Sequence, residues 1–178
     1  MDKPMPKIAF KGMSLGLKCR DFFRPRKKIL SDLDIKPNFK VLDFGCGHGS
    51  YIPLLSKAVG EHGKVYALDI HPLAIEKVES LILKSNLSNV ETVCSDCSTG
   101  LPDKNLDFIL LYDIFHALSY KIKVLTELHR ILKDEGVLSF SDHHMKENDI
   151  ISEMEKRNLF KLHEKKKFTY SFVKKHTA

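Results

Sequence analysis

The sequence contains no tryptophan, only four cysteines and no apolar run long enough to cross a bilayer. The cysteines form no dense, regular framework, which excludes a small disulfide-stapled scaffold and predicts reduced thiols. The first nine residues combine two lysines with two prolines but lack an apolar segment, so they are not typical of a secretory signal. Together these absences predict a cytoplasmic protein with no membrane span.

What is present is typical of a globular protein. The chain has 178 residues, 43% hydrophobic and 29% charged, which suits one domain with a buried core. The formal net charge of +6 permits weak attraction to nucleic acid without indicating it, because solvated faces explain the local basic clusters. These clusters are Arg20, Arg24, Arg26, Lys27 and Lys28 near the start, and Lys161, Lys165, Lys166, Lys167, Lys174 and Lys175 near the end.

Short buried strands alternate with amphipathic helices along most of the chain. This alternation predicts an α/β sheet with helices on both faces. Ligands of such sheets bind at the carboxyl ends of the strands, near the point where strand order reverses. Gly136 is predicted to end the helix before the fifth strand. The predicted strands are 40–44, 64–69, 90–94, 106–112 and 137–141, and the predicted helices are 22–33, 50–59, one beginning at Pro72, 122–132 and 149–156.

The C-terminal segment has a different pattern. Residues 159–163 and 168–173 alternate apolar and polar side chains around a charged turn at 164–167. This pattern predicts a β-hairpin rather than another strand–helix–strand unit. The sheet is therefore predicted to be parallel at first and antiparallel at its end.

A glycine-rich loop follows the first strand directly, in the run Asp43-Phe44-Gly45-Cys46-Gly47-His48-Gly49. Glycine allows positive φ and lets a ligand approach bare backbone. A dinucleotide fingerprint would need glycine where Ser50 stands, and the Asp43 carboxylate would repel a pyrophosphate. The loop therefore favours a ligand with a cationic amino group.

Two further acids follow the next two strands. Asp69 ends the second strand about 20 residues after the last glycine, where a carboxylate can accept hydrogen bonds from ribose hydroxyls. Asp96, in Cys94-Ser95-Asp96-Cys97 after the third strand, is placed to accept one from the exocyclic amine of adenine. An adenosyl group with a cationic tail and no phosphate describes S-adenosylmethionine.

The segments VLDFGCGHGSY, VYALDI, CSDCSTGLP, LDFILLYDIFHAL and GVLSFSDHH resemble the ordered motifs of class I S-adenosylmethionine-dependent methyltransferases. Among these, the chain is most similar to the small enzymes related to ubiquinone and menaquinone biosynthesis. The resemblance implies a Rossmann-like, doubly wound seven-stranded sheet, mostly parallel with an antiparallel last strand. Residues 36–178 are predicted to form the S-adenosylmethionine-binding methyltransferase domain, and the apolar residues of the N-terminal segment predict a helical cap or lid in residues 1–35.

The same resemblance implies roles for the residues of the cofactor site. Asp43 and the Gly45–Gly49 loop would hold the methionine part of S-adenosylmethionine. Asp69 would hold the ribose and Asp96 the adenine, with Tyr112 lining the pocket. Each residue also has a structural alternative. The glycines could form only a tight turn, Asp69 could cap a helix and Asp96 could stand in a loop turn. Tyr112 could pack in the core. The full predicted set is Asp43, Gly45, Cys46, Gly47, Gly49, Asp69, Ile70, Asp96, Cys97 and Tyr112.

Three histidines follow the fourth and fifth strands, on the side where the methyl group is expected. Positioning supplies about 7–11 kcal/mol to such a transfer, whereas a general base adds about 10²–10⁴-fold. A neutral histidine accepts a proton from a hydroxyl, thiol or amine near pH 7, and the alternative is a hydrogen-bonded structural role. The candidate catalytic residues are His116, His143 and His144.

No metal site is predicted. The pair Cys94-x-x-Cys97 has zinc-like spacing, and Asp142 with the three histidines offers further ligands, but no second cysteine pair of this kind occurs. Cys94 is expected to pack within its strand and Cys97 to face the adenine.

Only short segments are available to cover the pocket, so the expected acceptor is a small molecule or an exposed group on a macromolecule. An RNA or protein methyltransferase is the alternative that the basic charge suits. However, Leu111-Tyr112-Asp113-Ile114 stands where amine-methylating nucleic-acid enzymes carry Asn/Asp-Pro-Pro-aromatic. A non-catalytic S-adenosylmethionine-binding regulatory protein and a dehydrogenase are further alternatives.

The N-terminal segment contains apolar residues that suit it to a lid over the pocket or to packing on the sheet. These residues are Phe10, Met13, Leu15, Leu17, Phe22 and Phe23.

Overall fold

The structure, a computed structural model, describes residues 26–31 and 33–175 of the chain. These residues include short 3₁₀ turns at Phe115–Ala117 and Lys156–Asn158. In chain order the described helices and strands are α1 (Arg26–Ser31), β1 (Lys40–Phe44), α2 (Ile52–Val59), β2 (Lys64–Asp69), α3 (Pro72–Ser85), β3 (Val90–Cys94), β4 (Leu106–Tyr112), α4 (Lys121–Ile131), β5 (Leu132–Ser141), α5 (Glu147–Glu155), β6 (Phe160–Lys165) and β7 (Tyr170–Lys174).

The strands form one seven-stranded sheet in the order β3-β2-β1-β4-β5-β7-β6. The first five strands pair in parallel, whereas β7 pairs antiparallel with both β5 and β6. The predicted Rossmann-like doubly wound fold is confirmed, including its antiparallel end. Strand order reverses between β1 and β4, so the carboxyl ends of β1, β2 and β4 meet where sheets of this kind hold ligands.

Helices cover both faces of the sheet, because the central strands are nearly continuous apolar runs that need burial on each side. Successive side chains of β4 point to opposite faces. Phe108 and Leu110 pack in a hydrophobic cluster with residues of α2 and α3, whereas Ile109 and Leu111 pack in another with residues of α4 and α5. The two clusters hold the strand tips in place at the edge where the predicted site residues lie.

Gly136 lies inside β5, so the prediction that it ends the preceding helix was wrong. The helix ends at Ile131 and β5 begins at Leu132. The register between β4 and β5 shifts between Leu106 and Phe108. An added Cβ at Gly136 would lie 2.6 Å from the Leu132 Cδ1 atom and 3.1 Å from the Leu106 carbonyl oxygen. Glycine is therefore needed for the close approach of two strands at an irregular pairing.

Other boundaries differ from the predictions by a few residues. The helix α2 begins at Ile52 rather than residue 50, with Pro53 in its first turn. The C-terminal hairpin is confirmed, but β6 continues to Lys165. Its turn is closed by the Lys166 N–H group, which donates to the Thr169 carbonyl oxygen at 2.8 Å.

The predicted N-terminal cap lies largely outside the described residues. Within them, α1 covers part of the predicted 22–33 helix. No described helix combines the length and apolar character that a membrane span requires. The residues of the predicted lid that lie outside the described ranges are Phe10, Met13, Leu15, Leu17, Phe22 and Phe23.

Candidate cofactor site and histidine cluster

Backbone hydrogen bonds tie the glycine loop after β1 to the neighbouring strand. The N–H groups of Gly45 and Cys46 both donate to the Leu68 carbonyl oxygen, at 2.8 and 2.9 Å. Gly45, Gly47 and Gly49 have φ values of 81°, 55° and 81°, a region that L side chains disfavour. The glycines therefore permit a turn that lies directly beside the tip of β2.

Asp69 connects this loop to the end of β2. One carboxylate oxygen accepts from the Gly47 N–H group at 2.9 Å, and the other accepts from the His71 N–H group at 2.8 Å. Burial raises the pKa of Asp69, and these hydrogen bonds oppose the shift. Ile70 between the two residues is half-buried. The cap of α3 is His71 rather than Asp69, because the His71 Nδ1 atom accepts from the Leu73 N–H group at 3.1 Å.

Asp43 presents a buried carboxylate oxygen to the same region. The residue lies in β1 and is only 3% exposed, and within the described part of the chain its Oδ2 atom has no hydrogen-bond partner. Burial raises the pKa of Asp43 to about 7, an effect that the Arg26 guanidinium opposes and the Asp69 carboxylate strengthens. A buried oxygen of this kind is costly unless a donor satisfies it. The ammonium group of S-adenosylmethionine is a donor of the required charge.

Asp43→Asn is expected to stabilise the ligand-free protein more at pH 8 than at pH 4. The folded-state pKa of about 7 lies above the ordinary value of 3.8. The stabilisation from the protonated form is therefore complete below pH 3.8 and is lost as the pH rises to 7. We expect a gain of about 1–3 kcal/mol at pH 8, which raises the melting temperature by roughly 3–10 °C.

The exposed Asp134 supplies the control for this experiment. The Lys104 ammonium group lowers the pKa of Asp134, so Asp134→Asn should bring no gain at pH 8. A melting difference for Asp43→Asn that does not change with pH would contradict the buried, proton-binding state of this carboxyl group.

Two tyrosines and an arginine lie beside the loop. The guanidinium carbon of Arg26 is 4.5 Å from the Tyr51 ring centroid, and the same guanidinium donates to the Tyr51 Oη atom at 2.5 Å. The Tyr51 and Tyr112 rings meet edge to face at 5.4 Å. Tyr112 is buried, and its hydroxyl is hydrogen-bonded to the Ser139 Oγ atom at 2.6 Å. Sequence reasoning missed Arg26 and Tyr51, although Tyr51 stands two positions after the last glycine of the loop.

The residues after β3 form the remaining part of the predicted cofactor site. Asp96 is exposed, and its Oδ1 atom accepts from the Cys97 N–H group at 2.6 Å, which lowers the pKa of Asp96. Cys97 is buried in the cluster that contains α4 and α5 residues. Cys94 is exposed, so the expectation that it packs within its strand was wrong, because β3 is an edge strand. The Ser95 N–H group donates to the Asp69 carbonyl oxygen at 3.1 Å.

Gly45→Ala tests how closely the loop approaches the residues after β4. An added Cβ at Gly45 would lie 2.6 Å from the Ile114 Cδ1 atom. We expect a loss of about 2–3 kcal/mol in denaturant unfolding, from left-handed strain and steric overlap together. Gly100→Ala is the matched control, because φ is 70° there but no atom lies within 4 Å of the added Cβ. Equal losses in the two variants would show that Ile114 does not pack against the loop.

A second polar group lies after β4 and β5, at the same edge of the sheet. Asp142 is buried, and its Oδ2 atom accepts from the His116 Nδ1 atom at 2.9 Å and from the His116 N–H group at 3.0 Å. The His144 N–H group donates to the other carboxylate oxygen at 3.1 Å. A carboxylate that accepts from Nδ1 selects the tautomer in which Nε2 carries a lone pair. In that tautomer the Nε2 atom of His116 is the ring atom that can accept a proton.

His143 forms a similar pair with Asp113, the residue after β4. The His143 Nδ1 atom lies 2.7 Å from the Asp113 Oδ1 atom, and Asp113 has a left-handed φ of 53°. The His144 ring centroid is 4.2 Å from that of His116 and 3.9 Å from that of His143. The structure thus brings the three predicted histidines together and adds Asp113, which was not among the predicted site residues. These three histidines with Asp113 and Asp142 are called the histidine cluster below.

A family model and several known proteins match the chain. The model of a family described as "Methyltransferase domain" matches residues 35–176. A demethylmenaquinone methyltransferase from Bacillus mycoides is 35% identical over 117 residues, covering 62% of this chain and 47% of the relative. Another from Geobacillus stearothermophilus is 26% identical over 126 residues, covering 70% and 54%. The chain spans about half the length of the curated relatives it matches.

A solved structure resembles the chain over a larger share of both molecules. It is a SAM-dependent methyltransferase from Aquifex aeolicus, with a TM-score of 0.77 and 30% identity, and the match covers 84% of this chain and 89% of the other. The range matched by the family model contains the glycine loop, all three strand-end acids and the histidine cluster.

Proposed function

This chain belongs to the methyltransferase-domain family and is an S-adenosylmethionine-dependent enzyme, and from this premise we propose that it methylates a small-molecule acceptor, with His116 as the general base. The observation that carries the proposal is the pairing of His116 with buried Asp142, at the sheet edge that also holds Asp43 and Asp69. The family assignment disfavours the dehydrogenase and the non-catalytic binding protein considered above.

The proposed cofactor site combines three strand tips. The Asp43 Oδ2 atom has no hydrogen-bond partner among the described residues and fits the ammonium group of the methionine part. Each Asp69 oxygen accepts one N–H group and keeps a further lone pair for a ribose hydroxyl. When bound, S-adenosylmethionine supplies a methyl group on a positively charged sulfur. Asp96 is proposed to accept from the adenine amine, and the remaining proposed contacts are Gly45, Cys46, Gly47, Gly49, Ile70, Cys97 and Tyr112.

His116 is proposed to take the proton that the acceptor loses. Its ring is 34% exposed, so an acceptor can reach the Nε2 atom while the Nδ1 atom stays bonded to Asp142. Proton transfer to Nε2 makes an imidazolium, which the buried carboxylate stabilises. His143 and His144 extend the same surface and are proposed to help place the acceptor.

Among the residues that the structure describes, only short segments lie over this edge of the sheet, which favours a small acceptor. The segments between β4 and α4 and between β5 and α5 are residues 113–120 and 142–146, and both take part in or flank the histidine cluster. The matched relatives from two bacteria are demethylmenaquinone methyltransferases, so a demethylated quinol is the first acceptor to test.

The test is transfer of labelled methyl groups from S-adenosylmethionine by the purified chain. We offer a demethylated quinol, a small-molecule extract, total RNA and a protein fraction in parallel. The proposal expects label in the quinol or the small-molecule fraction. Label confined to RNA or protein, or absent from every fraction while S-adenosylhomocysteine still binds, would overturn it.

An RNA acceptor is the second candidate, because the formal charge of +6 is compatible with binding to nucleic acid. It requires binding to RNA that weakens steeply as salt concentration rises. Filter-binding measurements over a salt series distinguish it from the small-molecule proposal, which expects no such binding.

A further inference from the structure

The histidine cluster brings together oxygen and nitrogen donors from two strand tips. One ligand atom each from Asp113, Asp142 and His143 can be chosen so that all three lie within 4.8 Å of one another. Asp113 follows β4, whereas Asp142 and His143 follow β5. Parallel neighbouring strands therefore place the three donors at one point, although two of them stand about 30 positions from the third.

We propose that Asp113, Asp142 and His143 bind a divalent transition-metal ion such as Zn²⁺ or Mn²⁺. Two carboxylates and one imidazole form a mixed oxygen and nitrogen set, which suits these ions better than the all-oxygen sets of Ca²⁺ and Mg²⁺. Three protein ligands leave a coordination position open, as in catalytic rather than structural zinc sites. This set differs from the cysteine-based one that the sequence suggested and then disfavoured.

Charge in the cluster favours a cation at this point. Within the cluster, Asp142 pairs with His116 and Asp113 pairs with His143. An imidazole carries a full charge only when protonated, whereas two carboxylates in close range repel each other at neutral pH. A divalent ion would neutralise both carboxylates and accept the lone pair of a neutral imidazole.

Binding of an ion requires the donor atoms to shift from their present positions. Zinc–ligand distances of about 2.0–2.2 Å place tetrahedral ligand atoms about 3.4 Å apart. The His143 Nδ1 and Asp113 Oδ1 atoms are now 2.7 Å apart and hydrogen-bonded, so they must separate slightly as an ion replaces the shared proton. The His143 side chain is 39% exposed and has room for this movement.

Asp142 is the fixed member of the set. Its side chain is fully buried, and it accepts from His116 Nδ1 and from the backbone N–H groups of His116 and His144. Such bonds orient a metal-binding carboxylate and support its affinity. His116 is therefore an outer neighbour of the proposed ion rather than a ligand.

The open position would hold an oxygen atom of the acceptor, a use that rests on the proposed function. Ile114, the residue after Asp113, lies against the glycine loop, since its Cδ1 atom is 2.6 Å from the position of a Cβ added at Gly45. The proposed ion and cofactor sites are therefore neighbours. An ion at this point would polarise and orient an acceptor hydroxyl without replacing the base.

The test is calorimetric titration of the full chain with Zn²⁺ and, separately, with Mn²⁺, whose bound fraction is also visible by electron paramagnetic resonance. We expect one ion per chain. His143→Ala and Asp113→Asn should each weaken affinity by at least about tenfold, and His116→Ala by about tenfold through its bond to Asp142. Asparagine at position 113 tolerates the left-handed backbone, and circular dichroism verifies folding of each variant.

His163→Ala and Cys94→Ser are the controls, because both side chains are exposed donors outside the cluster. Ion binding that both controls retain and that both ligand variants, His143→Ala and Asp113→Asn, lose would support the site. Binding that is absent, unchanged in the cluster variants, or lost in Cys94→Ser would overturn it. Binding of S-adenosylhomocysteine is measured on the same samples, so failure of the ion site and failure of the proposed cofactor site are distinguished.

Discussion

Asp69→Ala is expected to weaken S-adenosylhomocysteine binding by about two orders of magnitude. A hydrogen bond to a charged group contributes about 1.5–3 kcal/mol, and the proposed site uses this carboxylate for two ribose hydroxyls. The substitution also removes the acceptor of the Gly47 and His71 N–H groups, which loosens the glycine loop. Titration calorimetry with S-adenosylhomocysteine measures the change directly.

Two further variants show whether the effect belongs to the ligand or to the fold. Asp69→Asn keeps one oxygen acceptor, so its affinity for S-adenosylhomocysteine should lie between that of the wild type and that of the alanine variant. Asp134→Ala removes an exposed acid near the amino end of β5, away from the strand tips, and should leave affinity unchanged. Unchanged affinity in a folded Asp69→Ala variant would show that the pocket is elsewhere.

His116→Ala is expected to lower kcat by about 10²–10³-fold without changing S-adenosylhomocysteine affinity. A decrease in kcat of this size is expected when a general base is lost. The ring is held by Asp142 and takes no part in the proposed cofactor contacts, so binding and turnover should separate. Single-turnover methyl transfer to the acceptor that the labelling experiment finds measures the chemical step.

Added imidazole should restore part of the activity of His116→Ala, because it fits the space of the missing ring and accepts the same proton. A purely structural role for His116 predicts no such rescue. His163→Ala, an exposed histidine of β6, should remain fully active. Full activity in the single alanine variants of His116, His143 and His144 would remove the general-base proposal altogether.

Most of the fold could be predicted because its central strands are short, continuous stretches of apolar residues, which the sequence displays directly. The first four strands have the predicted ends, since apolar side chains stop where glycine, proline or charged residues begin. The fifth strand was predicted to start too late. Leu132 continues the helical spacing of Leu128 and Ile131, but in the structure it pairs with Leu106 of the neighbouring strand, a contact that the local spacing does not display.

The candidate site could be predicted only where it follows strand ends. Asp43, Asp69 and the three histidines stand directly at or after strands, and parallel topology brings such positions to one edge. The Arg26–Tyr51 and Asp113–His143 pairs join residues 25 and 30 positions apart. Neither pair has a local spacing pattern, so each depends on packing that the sequence does not display.

A crystal structure with S-adenosylhomocysteine bound tests the central claim most directly. The account predicts the amino group at Asp43, the ribose hydroxyls at Asp69 and the adenine amine at Asp96, with the sulfur facing the histidine cluster. A ligand bound elsewhere, or an adenosyl group that contacts none of these three carboxylates, would contradict it.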